Sequence, residues 1–311
     1  MQLGSDYKAE PFKISGEESI MDKWILSRVA YAVDRCNSDM ETYNFTQFTT
    51  TVYDFWLYDL CDIYLESVKP VIASGSDEAR KVAKATLYHC VETGLRLISP
   101  AMPFLSEELW QHLPHLKTHP PSIIVHDYPE SSQYCFINER IEADVAFAMS
   151  VIRTVRSLRS DYELTNKTKT DLYVSVSDEK DYRCLTSLIS LIETLASSNK
   201  VEVLLQSNIT AESIPSGCAH VTISSRCSVD IGLQVNFRGR LLLSCLLCLF
   251  FKGIINVERE LAKLSGKKEK NEAFVAKLLE QESRPDYEEK VPLPVRIANT
   301  EKVSSLSVAF M

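Results

Sequence analysis

The spacing of apolar residues predicts helices over the first half of the chain and strands after it. From Glu17 to about Asn37, Ile20, Trp24, Ile25, Val29, Ala32 and Val33 recur at three- and four-residue intervals, the pattern of one buried helical face. Asn44 is placed to cap a second helix that runs to about Lys69 and ends before Pro70. Ser76 precedes a third helix carrying Val82, Leu87, Val91 and Leu95. Pro100 and Pro103 then interrupt the pattern, and Ser106 to Leu113 supplies a short fourth helix. A proline-bearing loop from Pro114 to Pro129 leads to a fifth helix over roughly Asn138 to Tyr162. A mainly α fold follows: a connector over residues 1–16, whose Gly4, Pro11 and Gly16 break any period, then an antiparallel helical bundle over 17–165.

The period changes at DLYVSVSD, Asp171 to Asp178, which alternates and is rich in β-branched and aromatic residues. Helical spacing returns at Asp181 to Ala196, and VEVLLQ (201–206), AHVTIS (219–224) and SVDIGLQ (228–234) read as strands. A small α+β domain over 166–234 fits that order. Past Gly253 a charged helical pattern carries only a thin apolar stripe of Val257, Leu261, Leu264, Val275 and Leu278, so it needs a coiled-coil partner.

Length and composition, 311 residues at 45% hydrophobic, support a packed core in two or three domains. Nine cysteines without regular spacing and no signal-peptide pattern point to reduced thiols and a cytoplasmic setting, with no disulfide framework. The net charge of -8 argues against broad nucleic-acid attraction, which requires positive potential. Two stretches reverse it locally. Arg153, Arg156, Arg159, Lys167 and Lys169 face Asp161 and Glu163, while Lys263, Lys267, Lys268, Lys270 and Lys277 face Glu269 and Glu272, each set netting +3.

Trp24, Tyr53, Phe55, Trp56, Tyr58 and Tyr64 offer π-faces on which unstacked bases can sit, although aromatics at helical spacing are more often core. Arg28, Asp59, Asp62, Glu66 and Lys69 are candidates for polar readout, against the plainer reading of a solvated helix face. Arg153, Arg156 and Arg159, three apart, present guanidinium groups suited to a phosphate backbone or to acidic neighbours. The histidines of HLPHLKTH, His112 to His119, do not form a recognised zinc set, and nothing nearby in sequence completes four ligands. Cys245 and Cys248 form a lone CxxC in an apolar run. No phosphate loop, HExxH or GxSxG occurs, so no catalytic residue, metal or cofactor is expected in this chain.

Several motifs in one order, DKWILSR, YDFWLYDLCDIYLE, LRLISPAMPF with EELW, RSLRSDYELT and VPLPVRIA, resemble the class I aminoacyl-tRNA synthetases, most closely the valyl-tRNA synthetase family. The resemblance implies an anticodon-binding bundle, a small α+β domain and a coiled-coil arm that touches the outer corner of tRNA. It implicates Arg28 and Trp56, with Asp59, Glu66 and Lys69 as further candidates, in contact with the anticodon limb. Lys263, Lys267, Lys268 and Lys270, with Arg153, Arg156 and Arg159, would meet the backbone. The family's full enzyme uses ATP and magnesium to attach valine to tRNA(Val).

Three departures stand out. HIGH-type and KMSKS-type signatures are absent, so these residues alone should neither activate valine nor edit. Residues 235–252, VNFRGRLLLSCLLCLFFK, interrupt a segment that in the family runs from DIGLQ into GIINVERELAKL, and their apolar core is too short to span a bilayer. The arm's first helix and turn, 253–302, are followed by an atypical tail, 303–311, where a return helix is expected. Both oddities read as translated intron, and the whole as a fragment of a longer ligase. The expected partner is tRNA(Val), with neither membrane nor DNA. The competing expectation is a helical module that binds an elongation factor or other synthetases. A mitochondrial parent is equally compatible with the motifs.

Overall fold

The computed structural model describes residues 7–165, 168–208, 218–224 and 227–232, with isolated helical positions 265 and 276. The chain divides into two units, Met1–Asn236 and Phe237–Met311. The apolar insertion, the arm and the tail expected past residue 235 otherwise lie outside the described residues, and so do Lys263, Lys267, Lys268 and Lys270.

Helix α1, Ile20–Glu41, begins at a capping box. The Ser19 hydroxyl accepts from Asp22 N–H at 3.2 Å, and Asp22 Oδ2 accepts from Ser19 N–H at 3.0 Å. The helix buries more than the single predicted face, because Leu26 and Ala30 join Trp24, Ile25, Val29, Ala32 and Val33 inside. It is enclosed by α2 (Phe45–Asp54), α4 (Asp77–Ile98) and α6 (Glu139–Asp161). It also runs past Asn37, whose side-chain amide bonds back to Val33 O at 2.8 Å and across to Pro129 O at 2.9 Å instead of ending the helix.

Asn44 caps α2 as expected, accepting from Gln47 N–H at 3.3 Å. The chain then departs from the α-helical ladder: Phe55–Leu65 is π-helical, and α3, Glu66–Ser74, continues through Pro70. The predicted stop before Pro70 is therefore wrong. Pro70 lies on the exposed side, where bending costs little packing, and it follows a stretch already widened out of i→i−4 register. Ser76 caps α4, and Pro103, instead of interrupting, opens α5 (Pro103–Gln111) at its first position, where a missing N–H costs nothing.

The wide π turns press aromatics onto α4. Gly94 receives Trp56, whose Nε1 donates to the Gly94 carbonyl at 3.3 Å, and a Cβ at Gly94 would stand 2.9 Å from Trp56 Cζ2. Tyr64, fully buried, donates to Asp22 Oδ1 at 2.6 Å.

After α6 the chain forms a four-stranded sheet in the order β2-β1-β4-β3, from β1 (Thr170–Val176), β2 (Ser198–Leu205), β3 (Cys218–Ser224) and β4 (Cys227–Gly232). β1 and β2 are parallel, and the other two pairings antiparallel. The parallel pair needs a crossover, which is α7 (Glu179–Ser187) and α8 (Ile189–Leu195) broken at Leu188, not one helix over 181–196. Leu172, Val174, Val176, Val229 and Ile231 are buried beneath α6, α7 and α8, so α6 is a wall shared by bundle and sheet.

Alanine at position 94 would raise helix propensity by up to about 1 kcal/mol, but it collides with Trp56 and Phe55. Gly94→Ala is expected to lower unfolding free energy by about 1–3 kcal/mol, the range for overpacking, in urea denaturation. A stabilised variant would show that the close approach is soft.

Candidate nucleic-acid interface

The residues singled out for RNA contact separate into surface and interior. Trp24, Phe55 and Tyr64 are buried, and Trp56 is half-buried with its N–H committed to Gly94, so none of these four presents a free stacking face. Tyr53 and Tyr58 are exposed, at 56% and 51%, with ring centroids 5.9 Å apart and planes at 83°. Their five-residue spacing would set them about 140° apart on an α-helix. The i→i+5 geometry that starts at Phe55 swings them toward one side. Tyr31, Tyr43 and Phe45, which the spacing did not flag, are exposed as well. Tyr31 had a readable signal, lying one helical turn from Arg28, and the guanidinium carbon stands 4.7 Å from its ring centre.

Arg28 is the hub of a charged cluster. Its Nε donates to Asp59 Oδ2 at 2.9 Å and its Nη1 to Glu142 Oε2 at 3.0 Å, tying α1 to the π segment and to α6. Glu142 could not be found from local sequence, since it lies more than a hundred residues away. The other Glu142 oxygen accepts from the Ser27 hydroxyl, which in turn accepts from Asn138 N–H at 2.8 Å. Asp59 is half-buried, and burial pushes its carboxyl above the ordinary 3.8. Arg28 opposes the rise, while Glu142 and Asp54 add to it. Arg28, Asp59, Glu142 and Arg153 line one cleft of about 400 Å³ with Trp24 and Met149.

A second cleft, of about 730 Å³, is lined by Glu66, Arg156 and Arg159 with the Thr194–Ser197 turn. The three arginines do not form one row. Arg153 and Arg156 are exposed, and Arg156 Nε donates to the Leu195 carbonyl at 2.8 Å. Arg159 is only 4% exposed and is spent inside, donating to Thr170 Oγ1 at 3.0 Å and to the carbonyls of Thr165 and Thr168 at 2.9 and 2.6 Å. It holds the turn between α6 and β1, so the backbone role expected for it does not fit. Lys69 is exposed and pairs with Glu66 along α3.

The histidine-rich loop packs around Trp110, which is fully buried, with His115, His119 and His126 rings 5.2, 5.0 and 5.3 Å from its own. The seven described cysteines are free thiols. No helix among the described residues is long and apolar enough to cross a membrane.

The family model for the anticodon-binding domain of tRNA ligase matches residues 22–176. A valine–tRNA ligase of Takifugu rubripes is 42% identical over 294 residues, 92% of this chain and 22% of that protein. One of Caenorhabditis elegans is 42% identical over 289 residues, 92% of this chain and 26% of that protein. A mitochondrial valine–tRNA ligase of Saccharomyces cerevisiae is 30% identical over 315 residues, 98% of this chain and 26% of that protein. The chain thus spans about a quarter of the length of these curated relatives or less.

Because the folded Asp59 titrates above its unfolded value, its contribution to stability is present at low pH and lost as pH rises through the folded pKa. Replacing Arg28 removes the attraction and hydrogen bond that hold that pKa down. In Arg28→Gln, the Asp59 carboxyl is expected to titrate higher still by carbon-detected NMR; an unchanged midpoint would mean that Arg28 does not govern the cluster.

Proposed function

Because this chain belongs to the valine–tRNA ligase family, with residues 22–176 as its anticodon-binding domain, we propose that its helical part binds the anticodon limb of tRNA(Val). The observation that carries this reading is the pair of exposed rings, Tyr53 and Tyr58, beside the Arg28–Asp59–Glu142 cluster. Single-stranded loops are read by stacking unpaired bases on aromatic or guanidinium planes and by hydrogen bonds to their edges. Tyr31, Tyr53 and Tyr58 supply planes, and the ion-paired cluster, fixed by three helical elements, supplies donors and acceptors that are already ordered before RNA arrives.

Arg153 and Arg156 on the outer side of α6 extend positive charge toward the phosphates, which is how an acidic chain binds a polyanion locally. These residues carry out recognition without a chemical step, since neither ATP-site signature occurs in them. A cytoplasmic setting fits the free thiols, although mitochondrial ligases are among the similar proteins. A protein partner remains the rival reading, favoured by exposed apolar residues on α5, Phe104 at 89% with Leu105 and Leu109, and by the exposed Ile124 and Val125 of the loop that follows it.

Fluorescence anisotropy of the purified chain with tRNA(Val) and a non-cognate tRNA across a salt series separates the two. The expected result is cognate preference, a steep loss of affinity with salt, and a cost of about 1–3 kcal/mol for Tyr58→Ala, the scale of one stacked base. Arg156→Gln should weaken both tRNAs alike and flatten the salt slope. Absent preference with salt-tolerant capture of protein would overturn the RNA reading.

A further inference from the structure

The loop between α5 and α6 brings His119 and His126 against Glu92 of α4, and one ligand-capable atom from each lies within 4.8 Å of the others. Glu92 is 6% exposed, so its carboxylate demands compensation. Oε1 accepts from Arg96 Nη1 at 3.2 Å, while Oε2 accepts from the Thr93 hydroxyl at 3.4 Å. His126 Nε2 faces Oε1 at 3.8 Å. On its other side, His126 Nδ1 lies 3.2 Å from the Asp127 carbonyl. A carbonyl only accepts, so Nδ1 carries a proton, and in the neutral ring Nε2 holds the lone pair. In that form two acceptors face each other at 3.8 Å, an opposition that a metal cation or a donor placed between them relieves.

His119 adds a third donor atom. Its Nδ1 is buried without a hydrogen-bond partner. The backbone carbonyl behind His126 is the outer partner that fixes a metal-ligating imidazole in other proteins. The three residues share a cavity of about 350 Å³ that also contains His89, whose Nε2 is buried and unpartnered.

We propose that Glu92, His119 and His126 form a site for a divalent transition metal with the ligand preference of zinc, a solvent molecule taking the fourth position. Two imidazoles and one carboxylate are a zinc donor set, with bonds of about 2.0–2.2 Å that place ligands roughly 3.3 Å apart. The present separations must close by up to about 1.5 Å on that geometry, and both histidines ride on a loop instead of a helix. The metal would staple that loop to α4. Arg96 stays beside Glu92 through its Nε bond to the Asp127 carbonyl at 3.0 Å, and its charge tempers the affinity. The run His112 to His119 has no fourth ligand nearby in sequence, because the carboxylate comes from α4, more than twenty residues upstream, and the second imidazole from His126.

The test is titration of the chelator-stripped chain with Co²⁺ and Zn²⁺, read by cobalt d–d absorption, calorimetry and thermal melting. One saturable equivalent is expected, with four-coordinate cobalt bands and a zinc-dependent rise in melting temperature. His119→Asn and His126→Asn should each weaken binding about 100-fold or more, beyond the loss of an outer-shell partner. His112→Asn, whose exposed ring sits outside the cluster, should bind as the parent does. Far-UV circular dichroism identifies a misfolded variant, and the other histidine variant then decides. No saturable binding, binding that survives both variants, a cobalt–thiolate charge-transfer band, or a doubly protonated His126 seen by nitrogen NMR in the presence of zinc would each overturn the site.

Discussion

The two oxygens of Asp22 hold three elements in register. Oδ2 accepts from the Ser19 backbone and its hydroxyl at 3.0 and 2.7 Å, which fixes where α1 begins. Oδ1 accepts the Tyr64 phenol, and that phenol, fully buried in the π segment, also sits 3.4 Å from the Ala83 carbonyl of α4. Burial together with the Asp22 charge holds Tyr64 well above the usual phenol range, which keeps it a donor to Asp22. A carboxylate at 4% exposure would be costly without such donors. With α1 set at this height, Ser27 and Arg28 meet Glu142 of α6 and Asp59 of the π segment, so the candidate interface inherits its geometry from the start of α1.

Helix α6 shows how one element serves two layers. Its inward residues Val145, Ala148, Val151, Ile152 and Val155 fill the core, and its far end turns the chain into the sheet. Arg153 and Arg156 face out while Arg159, another three residues on, faces in, since three-residue steps fall short of a full 3.6-residue turn. The drift that makes three arginines look like one row in sequence is what splits them between two tasks.

Much of this was legible in the residues because it depends on local chemistry. Asn44 caps α2 as its place in the sequence predicts, Ser76 and Asn138 stand where helices were expected to begin, and alternation found the strands. The rest depends on distance in the chain. Spacing gives Tyr53, Phe55, Tyr58 and Tyr64 the same aromatic character, yet burial of two and exposure of two follows from which elements pack over them. The partners that matter most, Glu142 for Arg28 and Glu92 for His126, come from helices remote in sequence, so no local pattern could pair them. The π stretch was invisible for another reason: its apolar residues satisfy a helical pattern while the hydrogen bonds shift by one.

That shift makes the least regular part of the bundle the part whose length is least negotiable. Removing one residue from Phe55–Leu65 would return the backbone to ordinary turns and rotate everything beyond it by about 100° relative to α2. Tyr58 and Asp59 would leave the face of Tyr53 and Arg28, and Tyr64 would lose Asp22, all without a single substitution. Surface loops commonly absorb insertions and deletions; here an apparently surplus residue in a helix works as a spacer, and genomes that share this bundle should vary its side chains far more freely than its residue count.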